Sequence, residues 1–350
     1  MKARRRYPGV FVALAGVGFF VSACGGSAGA TGAHPAPSSA PLAASTPSRL
    51  QSVVLVEASD SLVEAPVVVA QSQHFFEAHG LAPKIEVLSG NTALSAMVGG
   101  SAQFDADVAG QVLTADGRGA PAVAFASLTE GNDNAIVVSS RYLSRHHVDL
   151  HADLKQRLSA LAGARLGISA PGASSADTLQ YMLNWAGLSP RSYSQIALGS
   201  GASLLSALKA GSIDAFLWSP PQPQEAVYQG FGTILARAQE IPALGAMAYA
   251  CMVTTQSYLR QHPATVAAMA AAIGEAERFM AQHPNQTLAI LERHFTYPVP
   301  VLKEALASIR YSQTGRIDPT AWQDTATVLQ AMGIVSADRS VLAKAYTLLP

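Results

Sequence analysis

Ala96-Met97-Val98-Gly99-Gly100-Ser101-Ala102-Gln103-Phe104 aligns without a gap on Ala207-Leu208-Lys209-Ala210-Gly211-Ser212-Ile213-Asp214-Ala215. Only Ala, Gly and Ser match identically. Each copy nevertheless reads as the end of a helix, a glycine stop and the next strand. Two lobes built from the same unit would leave a cleft between them. Open α/β sheets bind ligands beyond the carboxyl ends of their strands, so a ligand there would face both lobes.

Working outward from the first copy, 52–57 reads as a strand, 67–79 as a helix stopped by Gly80, and 84–88 as a second strand. A helix capped by Asn91 or Thr92 runs to Val98, and 104–108 and 122–126 are further strands. Around the second copy the pattern restarts with strands at 165–169, 194–197 and 213–218 and helices at 175–185 and 202–210. After a strand-like stretch at 248–253, the spacing predicts helices at 263–281, 286–294, 299–309, 319–332 and 340–348. Strands alternating with helices give an α/β class with two lobes, each a mainly parallel sheet flanked by helices, and extra C-terminal helices.

Composition sets the outer bounds. The chain has 350 residues, more than one hydrophobic core usually fills. Hydrophobic types make up 49% and charged types 13%, which excludes disorder throughout. Basic and acidic residues number 23 each, so there is no electrostatic footprint for nucleic acid. Two cysteines exclude a disulfide scaffold and a four-cysteine zinc site.

The N-terminus carries an address. Lys2, Arg4, Arg5 and Arg6 precede an apolar run over 10–21, too short to span a bilayer, and then Ser22 and Ala23. Val21-Ser22-Ala23-Cys24 resembles the lipobox of bacterial lipoproteins, in which the cysteine becomes the lipidated first residue. Residues 1–23 then form the signal peptide. Of the 24 residues in 25–48, 22 are Gly, Ala, Ser, Pro or Thr, so 24–48 reads as the lipidated Cys24 and a flexible tether. Removing the leader's four cations leaves 19 basic residues against 23 acidic ones, a mildly acidic body.

Ala65-Pro66, Ala70, Phe75-Phe76 and Gly80-Leu81, then the 161–168 segment with Pro171-Gly172, follow a known order. Ala207-Leu208, Gly211, Ile213-Asp214-Ala215, Pro220 and the His262-Pro263 helix through Phe279 continue it. Over about 49–335 the chain resembles the periplasmic-binding-protein-like (type II) solute-binding lipoproteins that feed ATP-binding-cassette importers. The branch is that of nitrate, sulfonate, taurine and thiamine-precursor binders. Two departures stand out: Gln103 where an Asp is common, and Ser219 where many members have Glu before Pro220. Both are expected near the cleft.

The resemblance implies a type II two-lobed fold, with 49–137 and 246–350 as lobe I and 138–245 as lobe II. Hinges are expected near 135–139 and 245–252. The implied function is capture of a small solute (sulfonate- or taurine-like, nitrate-like or amino-pyrimidine-like) and its delivery to an ABC permease. The protein would act as a monomer, held by its lipid on the extracytoplasmic side of the cell membrane, without cofactor or metal. A ligand sensor for a membrane signalling partner, or an enzyme using the cleft, are the alternatives.

Loops at strand ends supply the candidate ligand contacts. In lobe I these are Ser59, Asp60, Ser61, Asn91, Thr92, Gly110, Gln111, Thr129 and Glu130. In lobe II they are Ser174, Ser175, Ser200, Trp218 and Ser219. Hydroxyls and free N–H groups at helix starts can hold an oxyanion, but Ser, Thr and Asn also cap helices where no ligand binds. Lys and Arg are absent from these loops, while Asp60, Glu64, Glu130 and Asp133 lie in or close to them. An amine-bearing, zwitterionic or neutral heterocyclic solute therefore suits Asp60 or Glu130 better than a bare inorganic anion.

Other chemistry has less support. His147 and His151 stand four apart with His146 adjacent, which on a helix gives two imidazoles and no third ligand. Cys251, among Tyr249, Met252 and Val253, reads as a small buried hydrophobe. Gly167-Ile168-Ser169-Ala170-Pro171 fails the last position of a nucleophile elbow.

Overall fold

Ten strands and fifteen α-helices are found in the computed structural model, which describes residues 50–57, 61–88, 92–335 and 345–348. The strands are β1 (Gln51–Glu57), β2 (Leu81–Val87), β3 (Phe104–Val108), β4 (Ala122–Ser127), β5 (Ala135–Ser139), β6 (Arg165–Ile168), β7 (Ser194–Ala197), β8 (Ala215–Trp218), β9 (Gly232–Arg237) and β10 (Ala250–Thr255). The first helices are α1 (Ala65–Ser72), α2 (Phe75–Ala78), α3 (Thr92–Val98), α4 (Ala109–Gly117), α5 (Ser140–His146), α6 (Leu154–Ser159), α7 (Ser174–Trp185) and α8 (Gly201–Ala210). The rest are α9 (Gln222–Tyr228), α10 (Pro242–Ala246), α11 (Gln256–Gln261), α12 (Pro263–Gln282), α13 (Pro284–His294), α14 (Val299–Ser308) and α15 (Pro319–Ala331). The leader, Cys24, the tether and the candidates Ser59, Asp60 and Asn91 lie outside the described residues.

The strands form two five-stranded sheets, in the orders β2-β1-β3-β10-β4 and β7-β6-β8-β5-β9. In each, the first three strands run parallel, as right-handed crossover units require. The fourth in each order, β10 or β5, comes across from the other sheet and runs antiparallel to both its neighbours. Four strands of each sheet therefore point one way, a mainly parallel sheet, and the reversed fourth strand makes the two antiparallel pairings.

Side-chain alternation divides the core as a two-faced sheet demands. Val53 and Leu55 of β1 join Phe104, Ala106, Ala250 and Met252 on one face, against α1, α12 and α13. Val56, Cys251 and Val253 look the other way, toward α3, α4 and α15. In the second sheet Ile136, Val138, Leu166 and Leu217 share one core, and Val137 and Phe216 the other. The long α12 starts with Pro263 at its first position and buries Val266, Met269, Ile273 and Met280, a helical spacing on an alanine-rich stretch. No helix of the described residues is long and apolar enough to cross a membrane.

The two copies of the repeated stretch occupy equivalent places, each joining a helix to the third strand of its sheet. Their caps match bond for bond. Ser101 N–H donates to Ala96 O (2.9 Å) and Ser212 N–H to Ala207 O (3.0 Å). Gly100 and Gly211 N–H donate to Met97 O and Leu208 O, both at 3.1 Å. The two glycines carry φ of 85° and 76°, the left-handed turn that ends a helix in a Schellman motif.

Three expectations change. The 67–79 helix breaks at His74, whose φ of 59° ends α1 and starts α2. The described part of 340–348 is not helical: Ala124 N–H donates to Ala345 O and Thr347 N–H to Ala124 O, so the tail pairs alongside β4. The segment 135–139 is a fully buried strand of the second sheet, paired on both sides. The passages between sheets consequently run through 128–134 and 247–249.

Candidate functional site

The carboxyl ends of the parallel strands of both sheets border one cavity of about 290 Å³. From the first lobe, Val87 ends β2 and Asp107 and Val108 end β3. From the second, Trp218 ends β8, while Ser169 and Gly199 follow β6 and β7. Helix starts fill the rim: Ser174 and Ser175 of α7, Gly201 and Ala202 of α8, Gln222 of α9, and Gln111 in the first turn of α4. Val63, Glu64, Tyr249 and Tyr297 of the first lobe and Asn134 of the outgoing passage complete the lining named here.

Local geometry accounts for how these groups are held. The cap residue of α7, Ala173, offers no side-chain acceptor, so that helix brings uncapped first-turn amides to the cavity. Ser200 caps α8 by accepting from Ser203 N–H (3.2 Å), and Ser169 and Ser175 share a hydroxyl–hydroxyl bond of 2.8 Å. A side chain on Gly201 would place its Cβ 2.6 Å from Trp218 Nε1 and 2.9 Å from Gln222 Nε2. Glycine there lets the indole and the carboxamide lie directly against the start of α8.

A buried polar network joins the site to both passages. Asn134 Nδ2 donates to Tyr249 Oη (2.6 Å) and to Asn132 Oδ1 (2.8 Å). Ser219 Oγ donates to Asn134 Oδ1 (3.0 Å), and Asn132 Nδ2 to Thr178 Oγ1 of α7 (3.0 Å). One network thus links the outgoing chain, the returning chain, the end of β8 and α7. Direct bonds also cross from lobe to lobe. Ser61 Oγ and Leu62 N–H both donate to Pro220 O, at 3.0 and 3.2 Å, and Gln224 Nε2 of α9 donates to Ser308 Oγ of α14 at 3.0 Å.

Burial shapes the charges. It pushes the Asp107 carboxyl up to about 7, against the pull of the Val108 N–H that donates to it at 2.7 Å. Asp133, next to Asn134 and fully enclosed, is raised by burial to about 8. Burial, then the Asp133 charge, raises the Tyr249 hydroxyl. Asp105, two residues before Asp107, is raised by burial first and then by Asp107 and Glu57.

The cavity brings together Gln111, Ser174, Ser175, Ser200, Trp218 and Ser219 of the sequence candidates. Gly110 instead borders a smaller adjoining hollow of about 30 Å³. Ser61 is buried, capping the turn before α1 and bonding Pro220. Thr129 is also buried, its Oγ1 accepting from Ala250 N–H (3.1 Å), so it serves the return strand. Thr92 and Glu130 are exposed and do not line the cavity.

The lining also contains residues the sequence reading passed over as contacts: Asp107, Asn134, Gln222, Tyr249 and Tyr297, with Glu64 noted only as a nearby acid. Gln103 lies at the amino end of β3, away from the cleft. Its Oε1 accepts from Val54 N–H (2.8 Å), as Asp214 Oδ2 accepts from Arg165 N–H (2.9 Å) in the second lobe. The departure at Gln103 is therefore structural, whereas Ser219 does face the cavity. His147 closes α5 in the left-handed conformation and α6 starts only at Leu154, so no helix carries His147 and His151 on one face. Burial, then Asp107 and Asp105, pushes the Cys251 thiol well up, which suits a packing role.

Residues 61–291 match the NMT1-like family. A curated relative, the bicarbonate transport ATP-binding protein CmpC of Synechocystis, is 30% identical over 244 residues, 65% of this chain and 35% of that protein. The chain spans about a third of that relative's length. The alkanesulfonate-binding protein SsuA of Xanthomonas axonopodis pv. citri, solved with MOPS bound, superposes with a TM-score of 0.70 at 18% identity, covering 85% of this chain and 98% of that one. The periplasmic nitrate-binding protein NrtA of Synechocystis gives 0.67 at 19% identity, covering 84% of each. These two structures share the fold.

Proposed function

The chain belongs to the NMT1-like family, and from that premise we propose that it is a solute-binding protein which closes its two lobes on a small solute and delivers it to an ATP-binding-cassette permease. The observation that carries this reading is the cavity bordered by strand ends and helix starts of both lobes. A ligand seated there touches both halves at once, so binding favours the closed arrangement by its differential affinity. The volume, about 290 Å³, suits a solute of few heavy atoms. The roles of the bicarbonate, alkanesulfonate and nitrate relatives support an importer component.

In this reading Gln111, Ser174, Ser175, Ser200, Trp218 and Ser219 contact the solute, and the passages 128–134 and 247–249 act as the hinges between lobes. Cys24 carries the lipid that holds the protein at the extracytoplasmic face, and a single copy suffices. Native mass spectrometry of the freshly purified protein tests the core of the proposal. A co-purified small molecule, lost when Trp218 and Ser200 are both changed to Ala, is the expected result. Flat thermal shifts across sulfonates, amines and pyrimidines, with no retained molecule, would sink it. Metabolic labelling with a palmitate analogue should mark the wild type and not Cys24→Ala.

A further inference from the structure

The outgoing and returning passages, 128–134 and 247–249, are joined by a third stretch of chain, 310–312, which follows α14 in the first lobe. Glu130 N–H donates to Arg310 O (2.8 Å) and Ser312 N–H to Leu128 O (2.9 Å), with Thr129 and Tyr311 in an antiparallel bridge between them. The outgoing passage also holds the returning one. Leu128 N–H donates to Ala250 O (2.9 Å), Gly131 N–H to Met247 O (2.8 Å), and Glu130 and Ala248 form a second antiparallel bridge. Main-chain bonds thus build a ribbon of three segments where a two-passage hinge has two.

The Arg310 side chain ties this ribbon to the second lobe. Its Nε donates to Glu130 O at 3.2 Å, and its Nη2 donates to Gly245 O of α10, the helix whose Leu244 belongs to the second-lobe core. The Gly245 carbonyl lies in the last turn of that helix, where no intrahelical donor reaches it. A planar guanidinium can serve two carbonyls at once, which a single amine does less well. Gly131 makes the room. It is buried with a φ of 71°, and a Cβ there would fall on the guanidinium and lie 2.7 Å from Gly245 O.

The next residue makes a second connection. Tyr311 Oη donates to Leu62 O (2.6 Å), and Leu62 N–H donates across the lobes to Pro220 O (3.2 Å). Pro220 follows Trp218 and Ser219, both of which line the cavity. One short segment therefore acts on the second lobe at two places, directly on α10 and through Leu62 on the end of β8. Neither Arg310 nor Tyr311 lines the cavity, so any effect of theirs on binding passes through the arrangement of the lobes.

Resting on the solute-binding reading, we propose that 310–312 is the third strand of the hinge and that Arg310 and Tyr311 are positioning residues for lobe closure. Arg310 fixes the spacing of α10 from the outgoing passage. Tyr311 fixes the Leu62 peptide that meets Pro220. With both in place the second lobe swings as one body toward the closed arrangement. Without either, the solute-free protein samples more lobe orientations, and binding must order them before the cavity is complete.

Distances between two spin labels, read by double electron–electron resonance on the full chain in detergent, test this. The labels go on Thr92→Cys and Ala197→Cys, exposed positions at the carboxyl ends of β2 and β7, one in each lobe. Spectra are taken with the co-purified solute in place and after dialysis free of it. Wild type should give a shorter distance with the solute than without. Arg310→Met, which keeps the stem and removes the fork, should widen the solute-free distribution at least twofold and cut the solute retained in native mass spectrometry at least threefold. Tyr311→Phe, one oxygen fewer, should act in the same direction and serves if Arg310→Met does not fold. A merely structural role would lower the thermal midpoint and leave the distribution unchanged, and that result in both variants overturns the inference while leaving solute binding intact. If the wild-type distance is the same with and without solute, or no solute is retained, the closure reading itself falls, and this inference with it.

Discussion

Gln103 and Asp107 stand at opposite ends of β3, and they separate what one sequence can say from what it cannot. Gln103 was visible as a departure from a resembling pattern, but its role needed the neighbouring strand, because its Oε1 serves Val54 N–H. Gln103→Ala should lower stability by about 1–2 kcal/mol in urea unfolding, the usual cost of orphaning a partly buried donor, and leave solute affinity unchanged. Asp107 reads in the chain as one more residue of a short strand. The rule that ligands bind beyond the carboxyl ends of strands points to the loop after β3, where Gly110 and Gln111 stand, and passes over Asp107 because it lies within the strand itself. Gly201 is the sharper test of the site. An added methyl meets Trp218 Nε1 and Gln222 within 3 Å, so the indole or the carboxamide must move. Gly201→Ala should weaken binding of the co-purified solute about tenfold or more and shift the tryptophan fluorescence, while secondary structure by circular dichroism stays unchanged.

At the scale of elements, the best-read feature is the helix–glycine–strand unit that occurs twice. Its legibility has a physical cause: a helix that stops in the left-handed conformation favours glycine so strongly that the residue marks the turn. Gly100→Ala and Gly211→Ala should each cost about 1 kcal/mol by chemical denaturation, because both positions hold a positive φ that a Cβ disfavours. Where a non-glycine residue takes that conformation the signal vanishes, as at His74 between α1 and α2. Short helices escaped for a different reason. α5 and α6, of seven and six residues, are too brief for a 3.6-residue period to stand out. β5 was read as a passage because a fully buried strand is simply an apolar run, and only its pairing to β8 and β9 assigns it to a sheet.

The whole molecule is governed by what crosses between lobes and by the acids it buries. Ser61 with Pro220 and Gln224 with Ser308 are bonds that separate when the lobes part. The double variant Ser61→Ala with Gln224→Ala should enlarge the radius of gyration of the solute-free protein in small-angle scattering and lower solute affinity several-fold. The buried acids set a pH dependence of the entire fold. Burial raises Asp107 to about 7 and Asp133 to about 8. Burial likewise raises Glu277 to about 9, with the Arg278 charge opposing it. In the unfolded chain these acids titrate near 4. Between those limits the folded state holds more protons than the unfolded one, so stability falls as pH rises. The contribution is complete below about pH 4 and is lost as pH climbs through about 7, 8 and 9. Asp214 has the opposite sign. Although burial pushes it up, the Arg165 guanidinium holds its carboxyl below the ordinary value, so its contribution is lost only as pH falls below about 4, outside this window. Thermal melts followed by circular dichroism should therefore give a midpoint several degrees higher at pH 5.5 than at pH 9. Asp133→Asn should flatten that slope, since a neutral amide at the same place carries no proton to lose. A midpoint that rises from pH 5.5 to pH 9 would mean that these carboxyls are ionised and paired in the folded protein.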